Sequence, residues 1–238
     1  MFPQLDALFI ATHPDDAEST CGGTIAKLVS RNARVGILDI SQGEMGTRGT
    51  VEERKLESEK ASAVLGISWR GNLSLPDGRV ANSIESRETL ARRIAALRPH
   101  LMFAPWWVSD LHPDHAATGK LCREAYFLAG LSKLMADQKP HRPKRVYYYP
   151  SHDPFEPQFI VAIDSNLMTK KLDSIKCYGS QLNATARKDD GKHFVHGMDL
   201  LERIVLRNRY FGSMVGAEFG EPFRVEGMLN DSDPLSYI

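Results

Sequence analysis

Short apolar runs alternate along the chain with longer stretches in which apolar residues recur every three or four positions. Short runs bounded by polar or glycine-containing turns predict buried strands, and the longer periodic stretches predict amphipathic helices. The predicted strands are residues 7–12, 34–41, 68–75, 100–106, 145–150 and 157–164. The predicted helices are residues 21–32, 51–66, 86–100, 114–130, 165–182 and 197–216, and residues 183–196 are predicted to form a loop.

Strands that alternate with helices predict right-handed βαβ units and a parallel sheet. The sequence contains no internal repeat and no low-complexity linker, so we expect one α/β domain over residues 1–238. The expected architecture is Rossmann-like, a mainly parallel sheet with helices on both faces. Ligands of such open sheets bind beyond the carboxyl ends of the strands.

Three polar segments directly follow predicted strands. They are residues 12–18 (THPDDAE), 41–50 (SQGEMGTRGT) and 107–115 (WVSDLHPDH). Because parallel strands end at the same edge of a sheet, we expect the three segments to lie close together. The first segment is unusual because two adjacent carboxylates repel each other and are costly to bury without a partner.

Two interpretations of this aspartate pair stay open on these residues alone. In the first, Pro14 and Asp15 form a turn and Asp16 caps the next helix. In the second, His13, Asp16 and His115 form a His-Asp-His ligand set for a cation. Two imidazoles and one carboxylate, with a fourth position left for water, are typical of catalytic zinc, although ferrous iron and manganese accept similar ligands.

A metal would leave neighbouring groups free for chemistry. Asp15 could then act as a base on a metal-activated water. His112, three residues before His115, could donate a hydrogen bond to a developing oxyanion, and Asp114 could orient its ring. The histidines outside such clusters are expected to have structural or surface roles; they are His100, His141, His193 and His196.

Net charge, hydrophobic segment length and cysteine count bear on the partners and on the location of the protein. The 30 basic and 30 acidic side chains balance, which gives no argument for nucleic acid or an anionic membrane. No segment is long enough to span a bilayer and the N-terminus lacks a basic leader, so a cytoplasmic location is expected. The 3 cysteines are far apart, which fits a reducing compartment better than a disulfide framework.

The two histidine-aspartate motifs resemble those of the LmbE/PIG-L family of zinc-dependent de-N-acetylases. HPDDAE at residues 13–18 is similar to the family's HPDDE pattern with Ala17 inserted, and HPDH at residues 112–115 is similar to its later motif. A further group of segments resembles the branch of the family that works in bacillithiol biosynthesis: residues 39–57, 72–78, 151–164, 176–182 and 207–223. The resemblance therefore covers nearly the whole chain.

The resemblance implies a role for each candidate residue. It implies that zinc binds to His13, Asp16 and His115. Asp15 would be the general base, and His112, as an imidazolium held by Asp114, would stabilise the oxyanion. Arg54 and Arg48 would bind the polar or anionic part of the substrate, since guanidinium groups suit carboxylates.

The implied reaction is hydrolysis of the N-acetyl group of N-acetylglucosaminyl malate, giving glucosaminyl malate and acetate. One alternative is another N-acetylglucosaminyl conjugate, such as a chitin disaccharide or a mycothiol-type precursor. A second is a metal-dependent sugar-binding protein without turnover. Leu111 replaces an arginine that many members of the branch carry, which puts a substrate contact at this position in question. The resemblance also implies a homo-oligomer, either a trimer or a hexamer.

Overall fold

The computed structural model describes residues 2–108, 110–152, 155–182 and 199–227, so the loop predicted at residues 183–196 lies outside the described residues. The elements in chain order are β1 (Ala7–Ala11), α1 (Asp16–Ser30), β2 (Val35–Asp39), α2 (Val51–Leu65), β3 (Trp69–Asn72), α3 (Ile84–Leu97), β4 (Leu101–Pro105), α4 (Pro113–Leu128), β5 (Arg145–Tyr149), β6 (Phe159–Ile163), α5 (Ser165–Lys176), α6 (Gly179–Leu182), α7 (Leu200–Ser213) and β7 (Phe219–Phe223). Five strands form one sheet in the order β3-β2-β1-β4-β5, and every pairing in it is parallel. The predicted Rossmann-like α/β class is confirmed.

Helices cover both faces of the sheet because successive strand residues point to opposite sides. In β1, Leu8 and Ile10 belong to the core that includes buried residues of α3 and α4. Phe9 and Ala11 belong to the core on the other face, with buried residues of α1 and α2. α1 and α2 pack on one face of the sheet and α3 and α4 on the other, so the chain crosses between the faces after β3. The strand order therefore reverses between β1 and β4. In this topology a crevice opens at the carboxyl ends of those two strands.

Two strands lie outside the parallel sheet. β6 pairs antiparallel with β7, a strand that the hydrophobic pattern of the sequence does not predict. Gly220 and Pro222 weaken the strand signal of this segment, since both residues are disfavoured inside strands. Pairing with β6 and packing against α7, where the Asn208 side chain donates to the Gly220 carbonyl, hold it extended.

Two predicted helix boundaries were wrong. α1 begins at Asp16 rather than at residue 21, because Asp15 turns the chain sharply with a φ of 111° and the helix follows at once. The helix predicted over residues 165–182 is divided into α5 and α6. Between them Tyr178 is fully buried, and its hydroxyl donates to Glu18 of α1 over 2.8 Å. Within the described part of the chain, no helix combines the length and the apolar character needed to cross a membrane.

Candidate metal centre and active site

The predicted ligands meet at the crevice between β1 and β4. His13 follows β1, Asp16 is the first residue of α1, and His115 lies in the first turn of α4. Parallel pairing of β1 with β4 brings the beginnings of α1 and α4 together, although the two histidines are 102 positions apart in sequence. Adjacent strands of the sheet therefore assemble the ligand set from two distant motifs.

Three potential ligand atoms form a nearly equilateral triangle. Asp16 Oδ2 lies 3.4 Å from His13 Nδ1 and 3.2 Å from His115 Nε2, and the two ring nitrogens are 3.3 Å apart. Ligand atoms about 2.0–2.1 Å from a tetrahedral zinc ion are about 3.3–3.4 Å from each other. The observed spacing fits one zinc ion bound by all three residues, and similar ions with the same bond lengths fit equally.

Each ligand imidazole has a carboxylate at its other ring nitrogen. Asp77 Oδ1 lies 2.9 Å from His13 Nε2, and Asp110 Oδ1 lies 3.4 Å from His115 Nδ1. Such outer carboxylates fix the tautomer and orientation of a metal-binding histidine, leaving the inner nitrogen free to bind the ion. Neither aspartate was singled out from the sequence. Asp77 lies in a turn motif and Asp110 has no recognisable partner until the fold brings His115 to it.

The ligand set is electrostatically prepared for a cation. Burial would raise the pKa of Asp16, but His115 and His13 outweigh it and hold that pKa well below its usual range. Burial would lower the pKa of His115, but Asp16 and Asp110 raise it to about 9. Likewise, burial is outweighed at His13, where Asp114, Asp16 and Asp77 raise the pKa well above its usual value. A metal would compete with these protons for the same ligand atoms.

Asp15 lies beside the ligand set with a carboxyl group that is free to react. No described hydrogen bond ends on that carboxyl, and the Arg54 guanidinium approaches it at 3.6 Å. Burial raises the pKa of Asp15 to about 7, with Asp16 adding to the effect and Arg54 opposing it. A general base works best when its pKa is near the working pH. The backbone of Asp15 has a φ of 111°, which is strained for a non-glycine residue, and such strain is concentrated at functional sites.

His112 faces the same space, with its ring centroid 4.9 Å from those of both His13 and His115. The Asp114 backbone N–H donates to His112 Nδ1 over 3.3 Å, so a neutral His112 carries its proton on Nε2. Burial, with the positive charge of His115 and His13, lowers the pKa of His112, which is opposite in direction to the imidazolium that the resemblance implies. A neutral imidazole can still donate from Nε2.

Asp114 contacts different groups from those expected. Its carboxylate accepts hydrogen bonds from the backbone N–H groups of Gly78 (2.6 Å) and Val80 (3.2 Å), and lies 3.7 Å from His13 Nε2. The described link from Asp114 to His112 therefore runs through the backbone. Orientation of His112 by the Asp114 carboxylate stays a prediction.

The two arginines differ in their surroundings. Arg54 is 5% exposed and donates to the carbonyl groups of Pro14 (2.7 Å) and Gly43 (3.3 Å), which ties the first polar segment to the second. Gly43 has a φ of 71°, and a Cβ there would collide with the Arg54 guanidinium. Arg48 donates to the Gln181 carbonyl over 3.4 Å. Substrate binding by either arginine stays a prediction.

A cavity of about 500 Å³ opens above this cluster. Its floor carries the candidate ligands together with Asp15, Arg54, Asp77 and His112, and its walls are largely apolar. The wall residues include Met45, Leu111, Ile175, Tyr178, Leu182 and Leu200. His152 also lines the cavity, and its Nδ1 lies 3.2 Å from Asp110 Oδ1. His152 was not predicted from the sequence, where its one signal is its place in one of the family-like segments, residues 151–164.

Asp110→Asn is expected to weaken zinc binding about 10–100-fold, the usual cost of losing a carboxylate behind a ligand histidine. The neutral amide would no longer stabilise His115 through its Nδ1 side. Competition with a chromophoric chelator measures this affinity. Asp137→Asn, at a side chain that is 69% exposed and paired with Arg92, is the matched control and should bind zinc normally. An unchanged zinc affinity in folded Asp110→Asn would contradict the supporting role.

Comparisons with known proteins identify the family of this chain. Residues 8–126 match the family model described as PIG-L, GlcNAc-PI de-N-acetylase. The chain is 32% identical to the diacetylchitobiose deacetylase of Thermococcus kodakarensis, over 97% of this chain and 87% of that protein. It is 24% identical to the probable N-acetyl-alpha-D-glucosaminyl L-malate deacetylase 2 of Bacillus anthracis, over 73% of this chain and 80% of that protein. A solved structure, that of the conserved protein TT1542 from Thermus thermophilus, is 38% identical with a TM-score of 0.86, over 97% of this chain and 98% of that one.

The fold and the site together define a metal-dependent hydrolase built on a Rossmann-like sheet. The chain belongs to the PIG-L/LmbE family of de-N-acetylases. The family predicted from the two motifs is confirmed, as is the prediction that the protein is an enzyme.

Proposed function

We propose that this enzyme uses zinc to hydrolyse the N-acetyl group of an N-acetylglucosaminyl conjugate, releasing the free amine and acetate. The observation that carries the proposal is the tetrahedral spacing of three ligand atoms beside the unbonded carboxyl of Asp15. A zinc ion bound there would lower the pKa of a water molecule and polarise the amide carbonyl. Ferrous iron is the alternative ion, and metal analysis of the purified protein distinguishes the two.

The residues around the ligand set supply the proton transfers. Asp15 accepts a proton from the attacking water as its oxygen bonds to the acetyl carbon. His112 donates a hydrogen bond from Nε2 to the oxyanion that develops on the former carbonyl oxygen. Asp15 then returns its proton to the nitrogen as the C–N bond breaks, so the amine leaves neutral together with acetic acid. The acid then loses its proton to water and is released as acetate. Asp15 as a free base also argues against a pure sugar-binding protein, which needs no proton acceptor.

The cavity walls favour a neutral sugar as the group that carries the amine. Apolar side chains suit the C–H faces of sugar rings, whereas malate would bring two carboxylates. Apart from the histidines around the candidate ligand set, Arg54 is the one basic side chain in the described lining, and it is held by backbone carbonyls and Asp15. The similarity to a diacetylchitobiose deacetylase supports the same choice. The N-acetylglucosaminyl malate prediction rests on the family-like segments and is the competing hypothesis.

Acetate release from a substrate panel tests both levels of the proposal. With zinc-loaded protein, we expect kcat/KM to be higher for N,N'-diacetylchitobiose than for N-acetylglucosaminyl malate, with N-acetylglucosamine as the reference. A higher value for the malate conjugate would overturn the choice of a neutral sugar and support the bacillithiol branch. If no N-acetyl sugar released acetate from metal-loaded protein, the sugar-binding alternative would replace the proposed function.

We also propose a cytoplasmic homo-oligomer, a trimer or a hexamer. Leu206 and Tyr210 on α7 and Met214 at its C-terminal cap support the assembly, because they are spaced four positions apart and are each about half exposed. Light scattering of the purified protein gives its mass directly. A monomer at micromolar concentration would contradict the proposal.

A further inference from the structure

A second, smaller cavity adjoins the active site beyond the metal ligands. Its volume is about 70 Å³, compared with about 500 Å³ for the main cavity. A cavity of roughly 10–15 Å³ is enough to hold one water molecule. The small cavity therefore has room for a few non-hydrogen atoms but not for a sugar ring. The residues that line both cavities are Asp16, Ser19, His115, His152 and Leu200.

Two guanidinium groups make the wall of the small cavity positive. Arg207 donates to the backbone carbonyls of Ser19 (2.6 Å) and Ser151 (3.3 Å), which holds it in the wall without neutralising it. Arg203, one helical turn earlier on α7, also lines the cavity. Neither guanidinium forms an ion pair with a carboxylate of a described residue. Asp16 is the one carboxylate in the described lining, and as a metal ligand it would have its charge offset by the ion.

An unused hydrogen-bond donor lies in the same wall. The Ser151 Oγ is buried and has no hydrogen-bond partner among the described residues, and Ser151 as a whole is 9% exposed. A buried hydroxyl without a partner is costly, which points to a ligand that accepts from it. Two cationic groups and a hydroxyl around a space of this size match the chemistry of a short carboxylate.

We propose that the small cavity is a binding site for a short monocarboxylate, and that its physiological ligand is the acetate released by deacetylation. The assignment of acetate rests on the proposed function. The cavity begins at Asp16 and His115, two of the candidate metal ligands, so an acetyl group hydrolysed at the metal would lie at its entrance. The cavity is too small for the amine product. Acetate can therefore occupy the small cavity while the glucosaminyl product remains in the main cavity.

Acetate binding to the zinc-loaded protein tests this site independently of turnover. NMR relaxation of 13C-labelled acetate gives the dissociation constant of acetate. Product inhibition by acetate gives a second estimate of its affinity, during catalysis. Arg203→Gln and Ser151→Ala should each weaken acetate binding. For Arg203→Gln we expect the dissociation constant to rise about tenfold or more, the scale of one charge-assisted hydrogen bond. Arg209→Gln removes the same charge from an exposed position of the same helix, over the Phe219 ring, and should leave acetate affinity unchanged.

The outcomes separate this site from the proposed function. Acetate affinity that depends on zinc but is the same in wild type, Arg203→Gln and Ser151→Ala would overturn the site, because the ion alone would then explain binding. Equal affinity for acetate and for hexanoate would also overturn it, since the cavity cannot hold the longer chain. Acetate binding that weakens in Arg203→Gln, in a protein that deacetylates no sugar, would support the carboxylate site and overturn the proposed function.

Discussion

Asp15→Asn is expected to lower kcat by about 10²–10⁴-fold, the usual contribution of a general acid–base, while zinc content stays at the wild-type level. The amide keeps the size of the carboxyl group but cannot take a proton from water. Metal binding should be retained because the three converging atoms belong to His13, Asp16 and His115. Turnover measured together with metal content separates loss of the base from loss of the ion.

The matched control for this substitution is Asp173→Asn. Asp173 is an exposed aspartate paired with Lys176 on α5 and is not among the described residues that line the main cavity, so its replacement should leave kcat unchanged. Near-normal turnover in metal-loaded Asp15→Asn would show that a different group moves the proton. In that case the raised pKa of Asp15 would reflect only its burial.

Lys171→Met is expected to lower the free energy of unfolding by about 3–5 kcal/mol, the cost of leaving a buried charge without its partner. Lys171 Nζ lies 2.6 Å from Glu221 Oε1, and both side chains are fully buried. The Glu221 carboxylate also accepts from the backbone N–H groups of Gly23 (2.9 Å) and Thr24 (2.7 Å). One ion pair therefore joins α5, β7 and α1, and denaturant unfolding measures its loss.

A second lysine on the same helix provides the control. Lys176 pairs with Asp173 at the surface, where an ion pair contributes about 1 kcal/mol or less, so Lys176→Met should be nearly neutral. Adding Glu221→Gln to Lys171→Met should recover part of the stability, because the unpaired charge is removed. If Lys171→Met were as stable as Lys176→Met, the buried pair would have no net stabilising role.

The parallel sheet and the meeting of the three candidate ligands at its edge were predictable because their signals are local. Each strand of the sheet is a short apolar run, and each ligand lies within a few residues of a strand end or a helix start. The topology of parallel sheets then places strand ends at one edge, which is enough to bring His13 and His115 together. The residues alone offered a base role for Asp15 and an oxyanion role for His112 only as possibilities; the family resemblance made both roles specific, and both stay predictions.

Other features were not predictable because they depend on contacts between distant segments. β7 contains a glycine and a proline, and it is a strand because β6 pairs with it. Asp77 and Asp110 become supports for metal ligands only when the fold places them against His13 and His115. His152 was hidden in the same way, since Asp110 is 42 residues away in sequence.

The sequence by itself determined the class of sheet, the family and the three residues whose atoms can bind a metal, because hydrophobic period and short motifs carry that information. Folding in three dimensions settled what those residues can do. Burial and neighbouring charges set the pKa of Asp15 and of the two candidate ligand histidines, and such effects depend on distance in space. The small positive cavity also depends on the tertiary structure, since its arginines come from α7 and its unpaired hydroxyl follows β5.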